Sequence, residues 1–369
     1  VLRLGVGAGL ALSGGAGLAC RTSGTADGDA RARGSVPLTV AGYTFDRVAA
    51  LADGRVSVEG CDVRFEPARI GEMNTHVFQG PGTRDLTEIG LSPFLLAFAN
   101  EGFREYSLIP VFPLRAFRHK SIFVRRDRGL LRPEDLRGRR IATPGYSSSS
   151  LTYIRGILEH EYGVKPTDVS WVQAVDDSSA GVAGKVSDQE QRLPDGIEVL
   201  AGTPGKDESQ LLIDGEVDAV FHAAEPRAFV QGHPLVGRLF PDSRAVERAY
   251  YARTGIFPIM HAVAVRNATV DRHPWLPEAA FRAYSRAKAV FLAEFRKLGW
   301  AMNSLPWVTQ EAEETRALMG DDWWPYGIPP NRRALEALLD YSYEQGLASR
   351  RVEPEELFHP ATLELAESA

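Results

Sequence analysis

Cysteine is scarce: only Cys20 and Cys61 occur in 369 residues. Two are too few for a disulfide framework or a Cys-based zinc site. No HExxH, CxxC or GxxxxGK[ST] pattern is present, which removes the metalloprotease, zinc-ribbon and nucleotide-loop signatures. No motif requires a metal or a cofactor, although scattered His and carboxylate side chains can still meet in space. The formal net charge is −6 with acids and bases interspersed, and no basic block suggests a nucleic-acid footprint. The apolar run over residues 4–19 is too short and too rich in glycine for a good membrane-spanning helix. What is present is 44% hydrophobic and 24% charged, the balance of an ordinary globular protein. The length suits two domains, or two lobes of one fold.

Residues 1–36 are expected to stand outside the fold. Arg3, a short Gly-rich apolar stretch, Cys20 and then a polar linker describe a secretory leader. The placement of Cys20 is similar to a bacterial lipoprotein box, with Gly17 where Leu is usual. The expectation is an exported protein, possible membrane anchorage running through Cys20; the alternative is a cytoplasmic protein with a misplaced start.

In the body, apolar stretches at 38–42, 61–65, 85–92, 107–111, 121–124, 141–143, 217–221 and 262–265 read as strands. Helical patterns fall at 93–100, 151–162, 277–298, 310–319 and 331–345, with Ser92 as the expected cap of the first. Residues 176–205 are polar and read as a long surface excursion. Alternating strands and helices predict an α/β fold with mostly parallel sheets. The order predicts a bilobal, hinge-closing layout with the ligand in the cleft: 37–125 begin the first lobe, 126–254 form the second, and 255–369 return to the first and add C-terminal helices.

Several residues stand out at predicted strand ends and helix starts, where such folds bind ligands. Arg115, Arg118 and His119 fall within five residues, among aromatic rings. Arginine offers a planar fork matched to a carboxylate, and histidine moves protons near neutral pH. Together they suit a small aromatic acid. Glu88 interrupts an otherwise apolar strand and needs a partner if buried. Tyr146 and the four hydroxyls Ser147, Ser148, Ser149 and Ser150 open a helix, a ready anion site, and Arg155 one turn later could reach back towards it. Cys61 reads as a small buried thiol.

The stretches 112–119, 133–138, 153–158, 254–261, 321–332 and 344–347 together resemble the 4,5-dihydroxyphthalate decarboxylase family. The most specific pieces are Ile256-Phe257-Pro258-Ile259-Met260-His261 and Trp323-Trp324-Pro325-Tyr326-Gly327. That family looks like a relative of the type 2 periplasmic binding proteins. The resemblance implies loss of one carboxylate from a dihydroxylated phthalate as carbon dioxide, without a cofactor. On that footing Arg115 and Arg118 bind carboxylate, His119 or His261 is the general acid, and Glu88 orients a histidine or meets the ring hydroxyls. Ser147–Ser150 with Arg155 hold the second carboxylate; Trp323, Trp324 and Tyr326 close over the ring; Arg47 and Phe257 complete the substrate-binding set. The loop after Pro144 departs from the family's pattern. The competing expectation is a solute-binding lipoprotein that delivers an aromatic or small organic acid to an ABC importer.

Overall fold

The computed structural model describes residues 35–178, 180–297 and 304–367; Cys20 and the expected leader up to residue 34 lie outside them. The chain begins with β1 (Val36–Gly42), α1 (Asp46–Ala52), β2 (Cys61–Pro67), α2 (Ile70–Phe78), β3 (Leu86–Gly90), α3 (Leu91–Asn100) and β4 (Tyr106–Arg115). β1 runs parallel to β2 over its whole length, from Val36↔Cys61 to Gly42↔Pro67, and to β3 at Val40↔Leu86. Every residue of β3 is buried, as expected for an inner strand covered on both faces. α3 follows with no loop. Its cap is Gly90, not Ser92, because the helix starts directly at the strand end and takes Ser92 into its first turn. α3 is buried from Leu91 to Phe98 on all sides, so it reads as apolar without a polar face.

The second lobe contains β5 (Ile122–Arg125), β6 (Arg140–Thr143), α4 (Ser149–Tyr162), β7 (Ser170–Gln173), α5 (Ala180–Ala183), β8 (Val199–Ala201), α6 (Glu208–Asp214), β9 (Ala219–Phe221), α7 (Arg227–Val230), β10 (Val236–Arg238) and α8 (Ser243–Thr254). The chain then returns through β11 (Ile259–Arg266) and continues with α9 (Asn267–Val270), α10 (Leu276–Phe295), α11 (Val308–Met319) and α12 (Arg332–Glu344).

Two sheets result, with orders β2-β1-β3-β11-β4 and β10-β5-β9-β6-β7-β8. The fold is α/β and bilobal. β5 takes its partners from β9 and β10, so the crossing into the second lobe precedes Ile122 rather than falling at residue 125. The returning strand β11 slots antiparallel between β3 and β4. This late insertion brings residues from the two ends of the chain into one sheet. The excursion over 176–205 is not purely a surface loop: it supplies the edge strand β8, and Ser187 and Gln189 within it are buried.

One apolar core surrounds the first sheet, and two clusters fill the second lobe. α12 packs on α4, where a side-chain carbon at Gly156 would come 2.2 Å from the Tyr341 ring. Glycine inside a helix costs about 1 kcal/mol against alanine, so its place here follows from that close approach. Cys61 is only half-buried, and burial pushes its thiol up to about 11. Among the described residues no helix is long and apolar enough to cross a membrane.

Candidate active site

A carboxylate in the middle of a buried strand must be paired. Glu88 is 1% exposed, and both its oxygens are engaged. The Tyr43 backbone N–H donates to Oε2 at 3.0 Å, and His261 Nδ1 lies 2.5 Å from Oε1. The register explains this pair: β11 sets His261 opposite Gly90 and Val263 opposite Glu88, so the two side chains are diagonal neighbours on one face. With Nδ1–H directed at the carboxylate, Nε2 is left as the nitrogen available for proton exchange, the tautomer following from the hydrogen-bond network. His261 is 9% exposed, and Nε2 has no protein partner among the described residues.

The Tyr43 ring lies 6.3 Å from the His261 ring at 18° and 5.1 Å from Phe45. Its hydroxyl accepts from Ile70 N–H at 2.9 Å and donates to the Val182 carbonyl at 3.0 Å, tying the first lobe to the second. Asn74 makes a similar tie, accepting from Gly90 N–H and donating to Glu190 Oε2 at 3.2 Å. The Tyr284 and Tyr326 hydroxyls are raised by burial, with the Glu88 charge adding to both. Arg47 donates from Nε to the Pro113 carbonyl, and its guanidinium lies 4.4 Å over Phe45 and 4.0 Å over Trp324.

The serine loop is largely occupied by its own architecture. Ser147 Oγ donates towards the Gln189 and Arg192 carbonyls. Ser148 caps α4 through the Leu151 N–H. Ser149 Oγ accepts from Ser92 N–H at 2.9 Å, and Ser92 Oγ donates to the Ser147 carbonyl at 2.8 Å, a third tie between the lobes. Ser150 Oγ turns to the Met260 sulfur at 3.3 Å. The same sulfur receives Arg118 Nε at 3.1 Å, and Arg118 Nη1 donates to the Ala223 carbonyl at 2.7 Å. Arg118 forms no ion pair among the described residues and keeps one terminal nitrogen without a protein partner; burial pulls it down to about 10. Ser150, in the first turn of α4, shares the Met260 sulfur with it.

The other expected residues part company. His119 is buried against the Phe240 and Tyr250 rings, with neither ring nitrogen hydrogen-bonded. Burial pushes it down to about 4, so it is neutral at pH 7. Arg155 is enclosed beneath the loop, 3.8 Å over the Tyr146 ring, with Nε donating to Gln345 Oε1 at 2.8 Å. Arg115, Phe257, Trp323 and Tyr326 line a lateral cavity of about 1390 Å³ that none of Glu88, His261, Arg118 or Ser147–Ser150 touches. Trp324 is a wall: its Nε1 donates to the Phe112 carbonyl, Arg47 covers its ring, and Phe257 abuts it edge-on at 5.4 Å.

Sequence reasoning did not select Tyr43, Asn74, Met260 or Tyr284. The only available signal was Tyr43's position just past a strand end. It also did not select Asp177, Glu208 and His222, whose donor atoms lie within 4.8 Å of one another, the spatial meeting of His and carboxylates that no motif announces. Burial works to lower the His222 pKa, but the Asp177 hydrogen bond and the Glu208 charge outweigh it and the net shift is upward.

The chain is 38% identical over 327 residues to a 4,5-dihydroxyphthalate decarboxylase of Comamonas testosteroni, covering 89% of this chain and 97% of that protein. A second relative of the same name, from Pseudomonas putida, is 33% identical over 58% of this chain and 81% of that protein. The chain belongs to the 4,5-dihydroxyphthalate decarboxylase family. Residues 112–188 also match the NMT1/THI5-like family. Among solved structures, this chain's fold is similar to that of a periplasmic sulfonate-binding protein, SsuA of a putative sulfonate ABC transporter from Methylobacillus flagellatus, at TM-score 0.50 and 13% identity over 89% of this chain and 93% of that one. The buried Glu88–His261 pair adjoins Tyr43, whose backbone N–H donates to Glu88 and whose hydroxyl makes one of the ties between the lobes.

Proposed function

We propose that this protein removes one carboxylate of 4,5-dihydroxyphthalate as carbon dioxide and leaves protocatechuate, as a carboxy-lyase. The observation that carries the reading is kinship with a decarboxylase of that name over nearly its whole length. A ring hydroxyl para to the leaving carboxylate raises electron density on the carbon that bears it. That carbon takes a proton, the bond to the carboxyl carbon breaks, and its electron pair returns to the ring. One proton is consumed and one carbon dioxide released.

His261 is assigned as the acid, delivering the proton from Nε2, with Glu88 holding Nδ1–H and so fixing the ring's orientation. Arg118 and the first amides of α4 hold the carboxylate that stays. Arg47, beside Phe45 and Trp324, guards the first-lobe side. The interlobe bonds of Tyr43, Asn74 and Ser92 exclude water once substrate is in place. His119 is not chosen as the acid, since it is neutral and enclosed at pH 7.

The test is incubation of purified protein with 4,5-dihydroxyphthalate while following carbon dioxide and protocatechuate by mass. Turnover by the native chain, lost in His261→Asn, supports the assignment; full turnover in that variant removes it. A second reading, an exported solute-binding lipoprotein for an aromatic acid, is favoured by Cys20 after an apolar run. Tight binding without turnover, together with acylation at Cys20, would replace the first reading with this one.

A further inference from the structure

The lateral cavity is a feature that the proposed chemistry does not use. It opens between α10, α11 and the loop over 321–326, and neither Trp324 nor Arg47 is among its lining residues. Its volume of about 1390 Å³ exceeds what a single-ring acid needs. Phe257, Phe281 and Trp323 supply apolar and aromatic surface.

Arg115 at its inner wall shows what is missing. The side chain is 6% exposed. Nη1 donates to Asn331 Oδ1 at 2.7 Å and Nη2 to the Phe257 carbonyl at 2.8 Å, while Nε has no partner. Both partners are neutral, and Arg115 forms no ion pair among the described residues. The acid closest in role, Asp322, is bound to Lys288 at 3.0 Å. A buried guanidinium without a counter-ion is unfavourable, and an incoming carboxylate removes that penalty. Ser285 Oγ, also on the cavity lining, is a second enclosed polar atom with no partner.

We propose that this cavity is a second ligand site, separate from the interlobe cleft, which takes a small aromatic carboxylate: the carboxylate pairs with Arg115 and the ring packs against Phe257 and Trp323. The site stands whether or not the cleft decarboxylates, because it shares none of the residues assigned there.

Benzoate is the probe, titrated into the full chain by calorimetry, with Arg115→Met and Ala289→Trp as variants. Ala289 is an exposed residue on the cavity lining and takes no part in the cleft, so a tryptophan there narrows the space while decarboxylation continues. The expected result is benzoate binding that weakens at least about tenfold in Arg115→Met and weakens measurably in Ala289→Trp. Benzoate binding unchanged in both variants, or no binding at millimolar concentration, overturns the proposal. Because either variant can misfold, crystals of the native chain soaked in 4-iodobenzoate give an independent answer: anomalous signal between α10 and α11 supports the site, and iodine confined to the cleft refutes it.

Discussion

Replacing Glu88 separates its structural role from its chemical one. The side chain is buried and accepts from two donors, the Tyr43 N–H and His261 Nδ1. Glu88→Ala leaves both donors without an acceptor. At roughly 1–3 kcal/mol for each unsatisfied buried group, the loss is about 2–6 kcal/mol before any cavity is counted. That is a large part of a typical folding free energy, and the alanine variant is expected to lose much of its fold. Glu88→Gln keeps the shape. Its amide oxygen accepts from one of the two donors and its NH2 faces the other, for a loss of about 1–3 kcal/mol, so the variant folds with a lower Tm. If His261 keeps contact with the amide NH2, Nδ1 must become the acceptor and Nε2 then carries a proton that the neutral ring gives up poorly. If it keeps contact with the oxygen, the charge that holds the imidazolium is gone. Either way turnover is expected to fall by about 10²–10⁴, the worth of a positioned acid, while KM changes little because Glu88 does not touch the carboxylates. The assay is steady-state carbon dioxide release beside a thermal melt and ligand titration. A Glu88→Gln protein that melts cooperatively, binds ligand and keeps half its turnover would refute the role given to the pair.

Three further outcomes follow from the same geometry. His119 has its pKa depressed from 6.5 to about 4 by burial, so the folded state resists protonation that the unfolded chain accepts. Its contribution is intact above pH 6.5 and is lost as pH falls towards 4, by up to about 3 kcal/mol, and His119→Phe should flatten that part of a pH series of denaturant melts while retaining decarboxylation. In Gly71→Ala, the added carbon would meet the Lys185 carbonyl at 2.0 Å, so the second lobe cannot seat as it does now; substrate KM should rise about tenfold with the melt nearly unchanged, and an unaltered KM would show that this contact is not part of closure. Tyr43→Phe removes the acceptor of the Ile70 N–H and the donor to Val182 in one step, at about 0.5–1.5 kcal/mol for each bond, and should speed ligand release in stopped-flow experiments.

The strands and helices were legible because their periodicities are local. The apolar β3 with one acid inside it announced that Glu88 needs a partner, and burial made that demand real. The partner was not legible: His261 lies 173 residues away, and only the antiparallel entry of β11 beside β3 makes them neighbours. The dispersal of the cluster Arg115-Arg118-His119 was not legible for the opposite reason. Three basic residues close in sequence leave a strand end and enter a short 3-10 turn at His119–Ser121, so each points elsewhere. Arg115 goes to the lateral cavity, Arg118 to Met260 and Ala223, and His119 into an apolar enclosure. The four serines exceeded what a cap requires, yet the surplus serves the loop's own carbonyls and the clasp to Ser92, which no one-dimensional pattern displays.

The aromatic motif around Trp323 and Trp324 connects these points. Adjacent in sequence, the two rings serve different spaces: Trp323 lines the lateral cavity, while Trp324 carries Arg47 on its face and Phe257 at its edge. Phe257 in turn lies 4.7 Å from Arg115 and stacks on Phe117 at 4.7 Å, in the two connections between the lobes. If lobe closure shifts the Phe257 ring, its contacts with Arg115 and Trp324 shift with it. If the lateral cavity takes an acid against Arg115, its occupancy is coupled to closure through Phe257 and Trp324, and linkage requires the coupling to run both ways. Calorimetry of benzoate with and without a saturating cleft ligand measures it. Equal benzoate affinity in the two states would mean that Trp324 is a rigid wall and that the two spaces act independently.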